Sequence, residues 1–225
     1  MPLGLRSKNL AISSNQPMPA IETLLTFFIA SLLLALAPGP DNLFVLTQSA
    51  LRGRSAGLAV TLGLCTGLLV HTTAVALGLA ALFAASALAF TLLKLCGAGY
   101  LLWLAWQAWR ASSTSIRTTA EDRLNGWQLY RRGILMNITN PKVSVFFLAF
   151  LPQFADPSRG PLTQQLLLLG AIFIVATILV FGGIALLAGL LGAWLTRSPG
   201  LQRIMNRLTA TVFVGLAFKL ALSER

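Results

Sequence analysis

The stretch "LLLALAPGPDNLFVL", residues 32–46, decides how this chain is read. Apolar residues run up to Ala37, Pro38-Gly39-Pro40 interrupts them, Asp41 follows, and apolar sequence resumes at Leu43. Proline removes a backbone donor and clashes with the preceding turn, so no regular helix passes through unchanged. The rest of the chain places this interruption in hydrocarbon. Of 225 residues, 56% are hydrophobic and only 10% charged, and the mean hydropathy is +0.77. A soluble domain cannot hide so much apolar surface behind so few charges. Runs of about 20 apolar residues, each long enough to cross a core of about 30 Å, recur along the sequence. The chain reads as a polytopic membrane protein, with the lipid bilayer as its solvent.

The net charge of +11 belongs to the same reading. Lysines and arginines sit in short loops between apolar runs, where the positive-inside rule places them, so nucleic acid is not an expected partner. Cys65 and Cys96 lie inside apolar runs, begin no CxxC or metal-ligand spacing, and read as small packing residues. No HExxH, GxSxG, Walker A or His/Cys cluster occurs. The expectation is therefore a protein that is not an enzyme, with no cofactor, metal site or catalytic residue.

Six spans are expected: about Ile21–Leu51, interrupted at Pro38–Pro40; Gly57–Phe83; Phe90–Trp109 after a tight turn at Ala84–Ala89; Trp127–Leu151, broken near Asn140-Pro141; Leu162–Leu191; and Ile204–Leu222 after a polar Thr196–Gln202 segment. Residues 1–17 are polar, lack an apolar signal-peptide core, and read as a disordered tail or a start assigned too early, with Met18 just ahead of the first span. Residues 18–225 then form one transporter-like domain: a first repeat at about 21–109, a cytoplasmic loop at about 110–126, and a second repeat at about 127–222. Ten bases lie in loops 1–2, 3–4 and 5–6, against four on the other side (Arg6, Lys8, Arg159 and Arg225). The rule puts those three loops in the cytoplasm and both termini outside.

The halves echo one another. "PGPDNLFVL" in the first span faces "ITNPKVSVFFL" in the fourth, aligning Pro40 with Pro141 and Asp41 with Lys142. Three spans per half is an odd number, so the second half enters the membrane from the opposite side. The expected fold is an all-α membrane protein of six transmembrane helices, arranged as two inverted three-helix repeats with helices 1 and 4 broken. Such repeats place substrate sites near the midplane, at discontinuous helices. Two unrelated proline kinks are the plainer alternative.

The breaks carry the chemistry. Asp41 is the one acid inside an apolar run. An ionised carboxylate at mid-bilayer costs about 2.5–3.5 kcal/mol on insertion scales, so it faces protein or a water-filled cavity. It is a candidate to hold and release a proton, and equally a candidate N-cap for the helix that follows. Lys142 is the base nearest the middle of a run, and an Asp41–Lys142 pair across the halves is expected, as a structural ion pair or as part of a site. Asn42, Asn137, Thr139 and Asn140 add uncharged donors and acceptors, which with freed backbone groups suit a zwitterion. His71, in the second span, is a proton-relay candidate or a hydrogen-bonded core histidine. Gly63, Gly67, Gly97 and Gly99 read as close helix contacts, and Trp103, Trp106 and Trp109 as an interfacial belt.

"APGPDN" at 37–42, "GAGYLLWLAWQAWR" at 97–110 and "GILMNITNPKVSVFFLAFLPQF" at 133–154, in that order, resemble the LysE/RhtB family of bacterial amino-acid exporters. The resemblance runs from about Met18 to the end. It implies a secondary transporter of the inner membrane that exports amino acids or related metabolites, driven by the proton gradient. By motif it assigns functional weight to Pro38, Gly39, Pro40, Asp41 and Asn42, and to Asn140, Pro141 and Lys142. Expected partners are a small-molecule substrate, protons and lipid, with a homodimer as a candidate assembly. Members share motifs across several substrates, so the exported compound does not follow. Two other classes remain open. A membrane thiol–disulfide carrier would want cysteines beside the breaks, and a metal-ion exporter would want clustered ligands.

Overall fold

The computed structural model describes residues 18–85, 87–110, 124–197 and 199–222. The expected tail at 1–17, Ser86 in the expected second turn, and residues 111–123 of the expected cytoplasmic loop lie outside the described residues.

Among the described residues the chain is helical throughout, without a strand. Helix α1 (Ile21–Leu36) and α2 (Pro40–Arg52) flank the first proline break. α3 (Arg54–Ala85) and α4 (Ala87–Arg110) follow. α5 (Gly126–Ile138) and α6 (Pro141–Val145) flank the second break. α6 continues through a π-helical turn at Phe146–Phe150 and a 3-10 turn at Leu151–Phe154. α7 (Leu162–Arg197) and α8 (Pro199–Leu222) complete the chain. Most of the Thr196–Gln202 segment, expected as a polar linker, is therefore helical.

Three helices contain stretches long and apolar enough to cross a membrane: Arg54–Gly78, Leu162–Ala188 and Arg203–Leu222. The pairs α1–α2 and α5–α6 (continued to Phe154) qualify together as bent spans, at 63° and 50°. Among the described residues that gives up to five candidate spans, against the six expected. α4 is not among those candidates. The chain is nonetheless a multi-pass membrane protein.

Local sequence explains the elements. Both prolines after the breaks occupy the first helical turn, where a missing N–H has no partner to lose. Gly53, at φ 85°, makes the sharp corner between α2 and α3 that an L side chain resists. Asn125 and Gln128 form a reciprocal capping box at the start of α5.

Packing divides around two apolar clusters. One gathers Phe27, Phe146, Phe147, Phe150, Phe154 and Phe173 with aliphatic neighbours from α1, α3, α4, α7 and α8. The other joins Val45, Val60, Leu64, Leu129 and Phe181. α3 packs along α5 and α7, and α4 packs along α8. The α3–α5 crossing is close because Gly63 and Gly133 face each other: a Cβ on Gly133 would sit 3.1 Å from the Gly63 Cα and 2.5 Å from the Val60 carbonyl oxygen. Small residues let membrane helices approach to this distance. Cys65 is buried in α3, and Cys96 is exposed on α4; both are free thiols.

Candidate functional site

The two breaks meet. Asn140 caps α6 by accepting the Lys142 N–H on its side-chain oxygen at 3.0 Å. Its amide nitrogen donates to the Asp41 carboxylate at 2.7 Å. One asparagine thus finishes its own helix and holds the acid that begins α2.

The reverse connection runs through Lys142. Its ammonium donates to the carbonyls of Leu34 (3.3 Å) and Ala37 (3.1 Å), at the open end of α1. A helix C-terminus carries partial negative charge and unpaired carbonyls, so a cation there is favourably placed. Asn42 donates to the carbonyl of Ala35 at 2.8 Å, finishing a third orphan acceptor. Gly39 leaves room for the lysine: a Cβ at this position would lie 3.3 Å from the ammonium. Asp41 and Lys142 share one cavity and feel each other's charge, as the expected pair has it, while their hydrogen bonds go elsewhere. The ammonium spends its hydrogen bonds on α1 carbonyls, and Asn140 is the hydrogen-bonding partner of Asp41. The reason is local: Pro38 has no N–H to offer the Leu34 carbonyl, α1 ends at the break, and Lys142 supplies a donor to Leu34 and to Ala37.

Asp41 and Asn137 are each only 3% exposed, and Lys142 8%. All three line a cavity of about 20 Å³ shared with Leu34, Phe173 and Thr177, room for about one water molecule. Asp41 Oδ1, Asn137 Oδ1 and Thr177 Oγ1 have no hydrogen-bond partner. Buried polar atoms without partners are uncommon, and each calls for a reason.

Sequence reasoning therefore located Asp41, Asn137, Asn140 and Lys142, which converge, with Asn42 just beside them as a cap of α1. Pro38, Gly39, Pro40 and Pro141 lie at the breaks as expected. Thr139 stays outside: it is exposed, and its hydroxyl donates back to the Leu135 carbonyl. His71 is half-buried, 3.3 Å from the Asn137 carbonyl oxygen and against the Phe147 ring, and does not line the cavity. Thr177 was missed. Its signal was a hydroxyl in the middle of the apolar α7, on the face that carries Phe173 and Phe181 at four-residue spacing; the other threonines of α7, Thr163 and Thr196, lie at its ends.

Neither cysteine stands at a break. Among the described residues no three His, Cys, Asp or Glu side chains gather as a metal site.

The geometry has relatives. An uncharacterised membrane protein of Vibrio cholerae is 37% identical over 91% of this chain and 98% of its own length. A homoserine/homoserine lactone efflux protein of Salmonella typhimurium is 37% identical over 84% of this chain and 90% of its own. A leucine efflux protein of Salmonella typhimurium is 30% identical over 87% and 93% respectively. No solved structure matches. The model of the LysE type translocators matches residues 32–224, both breaks included, and the chain belongs to this family of multi-pass inner-membrane proteins.

Proposed function

We propose that the protein is a secondary transporter that exports amino acids or related small metabolites, with its site between the two broken helices. The observation that carries the reading is the convergence of Asp41 and Lys142, from the two breaks, on one buried cavity. Opposite charges on one cavity suit a zwitterion: the carboxylate of Asp41 for an ammonium, the ammonium of Lys142 for a carboxylate. The efflux proteins among the relatives, named for homoserine and for leucine, support the substrate class.

The mechanism is alternating access. The cavity holds about one water molecule, so an amino acid enters only when the halves part. Parting them would break the Asn140–Asp41 and Lys142–α1 hydrogen bonds, and a zwitterion would replace both. Asp41 would bind a proton in exchange for the substrate ammonium, coupling export to the proton gradient. His71, one contact from Asn137, is the relay candidate.

Six spans in two inverted repeats remain the architecture that fits this mechanism. With 24 residues, α4 would reach ~36 Å, enough for a sixth crossing. Its packing along α8, and that of α3 along α7, join corresponding spans of the two halves. The α1–α7 contact likewise mirrors α5–α3. Contacts among the basic ends support the orientation. Arg52 reaches the Leu124 carbonyl (3.1 Å), and Arg207 stacks over Trp109. The loop end at Asp156–Arg159 would lie outside.

The test is a panel of labelled amino acids in proteoliposomes, with and without a pH gradient, for the wild type and Asp41→Asn. The variant should lose export, or its response to the gradient. Export at the wild-type rate with coupling intact removes Asp41 from the mechanism.

A further inference from the structure

Three oxygens on the cavity wall share a property, and two of them have no part in the proposed mechanism. Asp41 Oδ1, Asn137 Oδ1 and Thr177 Oγ1 come from α2, α5 and α7, belong to side chains no more than 3% exposed, and accept no hydrogen bond. All three are acceptors, and the space between them is the size of one small polar group. Gly67 makes the placement possible: a Cβ there would lie 2.7 Å from the Asn137 side-chain oxygen. The rest of the lining includes Leu34, Leu64 and Phe173, with Lys142 among them.

We infer that these three oxygens form a subsite for a primary ammonium group, one acceptor for each N–H. The inference rests on the transporter reading above and names the feature of the substrate that is recognised. A primary ammonium offers three donors and no acceptor. A buried acceptor left without its donor is penalised, so such a site rejects an analogue that lacks N–H groups more strongly than an apolar pocket rejects added bulk. Thr177 becomes a specificity residue. Asn137 becomes an ammonium partner, leaving the carboxylate to Lys142. A free sodium ion also prefers oxygen ligands, but three protein oxygens are few for it.

The test uses the full-length protein in proteoliposomes. A panel of the proteinogenic amino acids and homoserine identifies the best transported compound, and its N,N-dimethyl analogue is then compared with it. The wild type should favour the parent over the dimethyl form by at least about tenfold in transport efficiency. Thr177→Val, which keeps shape and removes the hydroxyl, should raise KM for the parent several-fold and narrow that preference. Thr177→Ser should restore both, which separates a lost acceptor from misfolding. Equal transport of parent and dimethyl analogue overturns the subsite while leaving the exporter reading intact. So does a Thr177→Val protein with unchanged preference. If Thr177→Val acts only on a dependence on sodium, seen by replacing sodium with choline, the site holds a free cation and the inference is wrong. If no compound on the panel moves, the exporter reading itself falls, and the subsite with it.

Discussion

The break between α1 and α2 and the break between α5 and α6 look alike in sequence and are built differently. At the second, Asn140 caps its own helix, and the Thr139 N–H and hydroxyl both return to the Leu135 carbonyl. That break is finished from within. The first has Gly39 in the cap position and no side-chain cap, and its α1 carbonyls depend on Asn42 and on Lys142 from the other half. Positions that match between the two breaks therefore need not do equivalent work. Asp41 and Lys142 each follow the first helical proline, yet one is held by the opposite break and the other holds it.

This one-way dependence can be broken in order. Lys142→Met should have the largest effect. It strips two buried carbonyls of their donor and removes the cation from the Asp41 cavity, and disrupting buried charge arrangements of this kind costs about 3–5 kcal/mol. Thermal unfolding in nanodiscs should show a steep drop, with export lost. A protein as stable as wild type would mean that α1 does not need its distant cap.

Asn140→Ser is next. Serine keeps the N-cap of α6 but cannot reach Asp41 as the longer amide does. The expected loss is about 1–3 kcal/mol, the penalty for a buried polar group losing its partner. Helix content by circular dichroism should hold while export falls. If helicity falls instead, the cap outweighed the bridge. Asn42→Ala should be smallest, about 0.5–1.5 kcal/mol, because it removes one hydrogen bond at a half-buried position. A larger loss than for Asn140→Ser would reverse the ranking of the two breaks.

Much of this was legible in the sequence because prolines and charges in apolar runs have few readings. Pro40 and Pro141 open their helices as expected, and Asp41, Asn137, Asn140 and Lys142, singled out from the sequence, lie together in the fold. The partner of each charge was not legible. Opposite charges suggested a direct pair, but which of two acceptors a lysine chooses depends on the position of the α1 carbonyls, and only the fold supplies that. Thr177 was hidden for another reason: a single threonine in a membrane helix usually bonds its own backbone, and nothing local distinguishes one that does not. α4 is harder to read: its 24 residues are long enough to cross, but Lys94 and Gln107 lie within its apolar run.

The Gly63–Gly133 crossing has a mechanical consequence. Where two backbones touch with no side chains between them, no rotamer can swing aside, so α3 and α5 separate only as whole helices. On the opposite wall of the cavity, α7 presents Phe173 and Phe181 on either side of Thr177. Both rings are buried, Phe173 against Phe146 and Phe147. Movement at the glycine seam thus belongs to the slow, whole-helix end of protein motion.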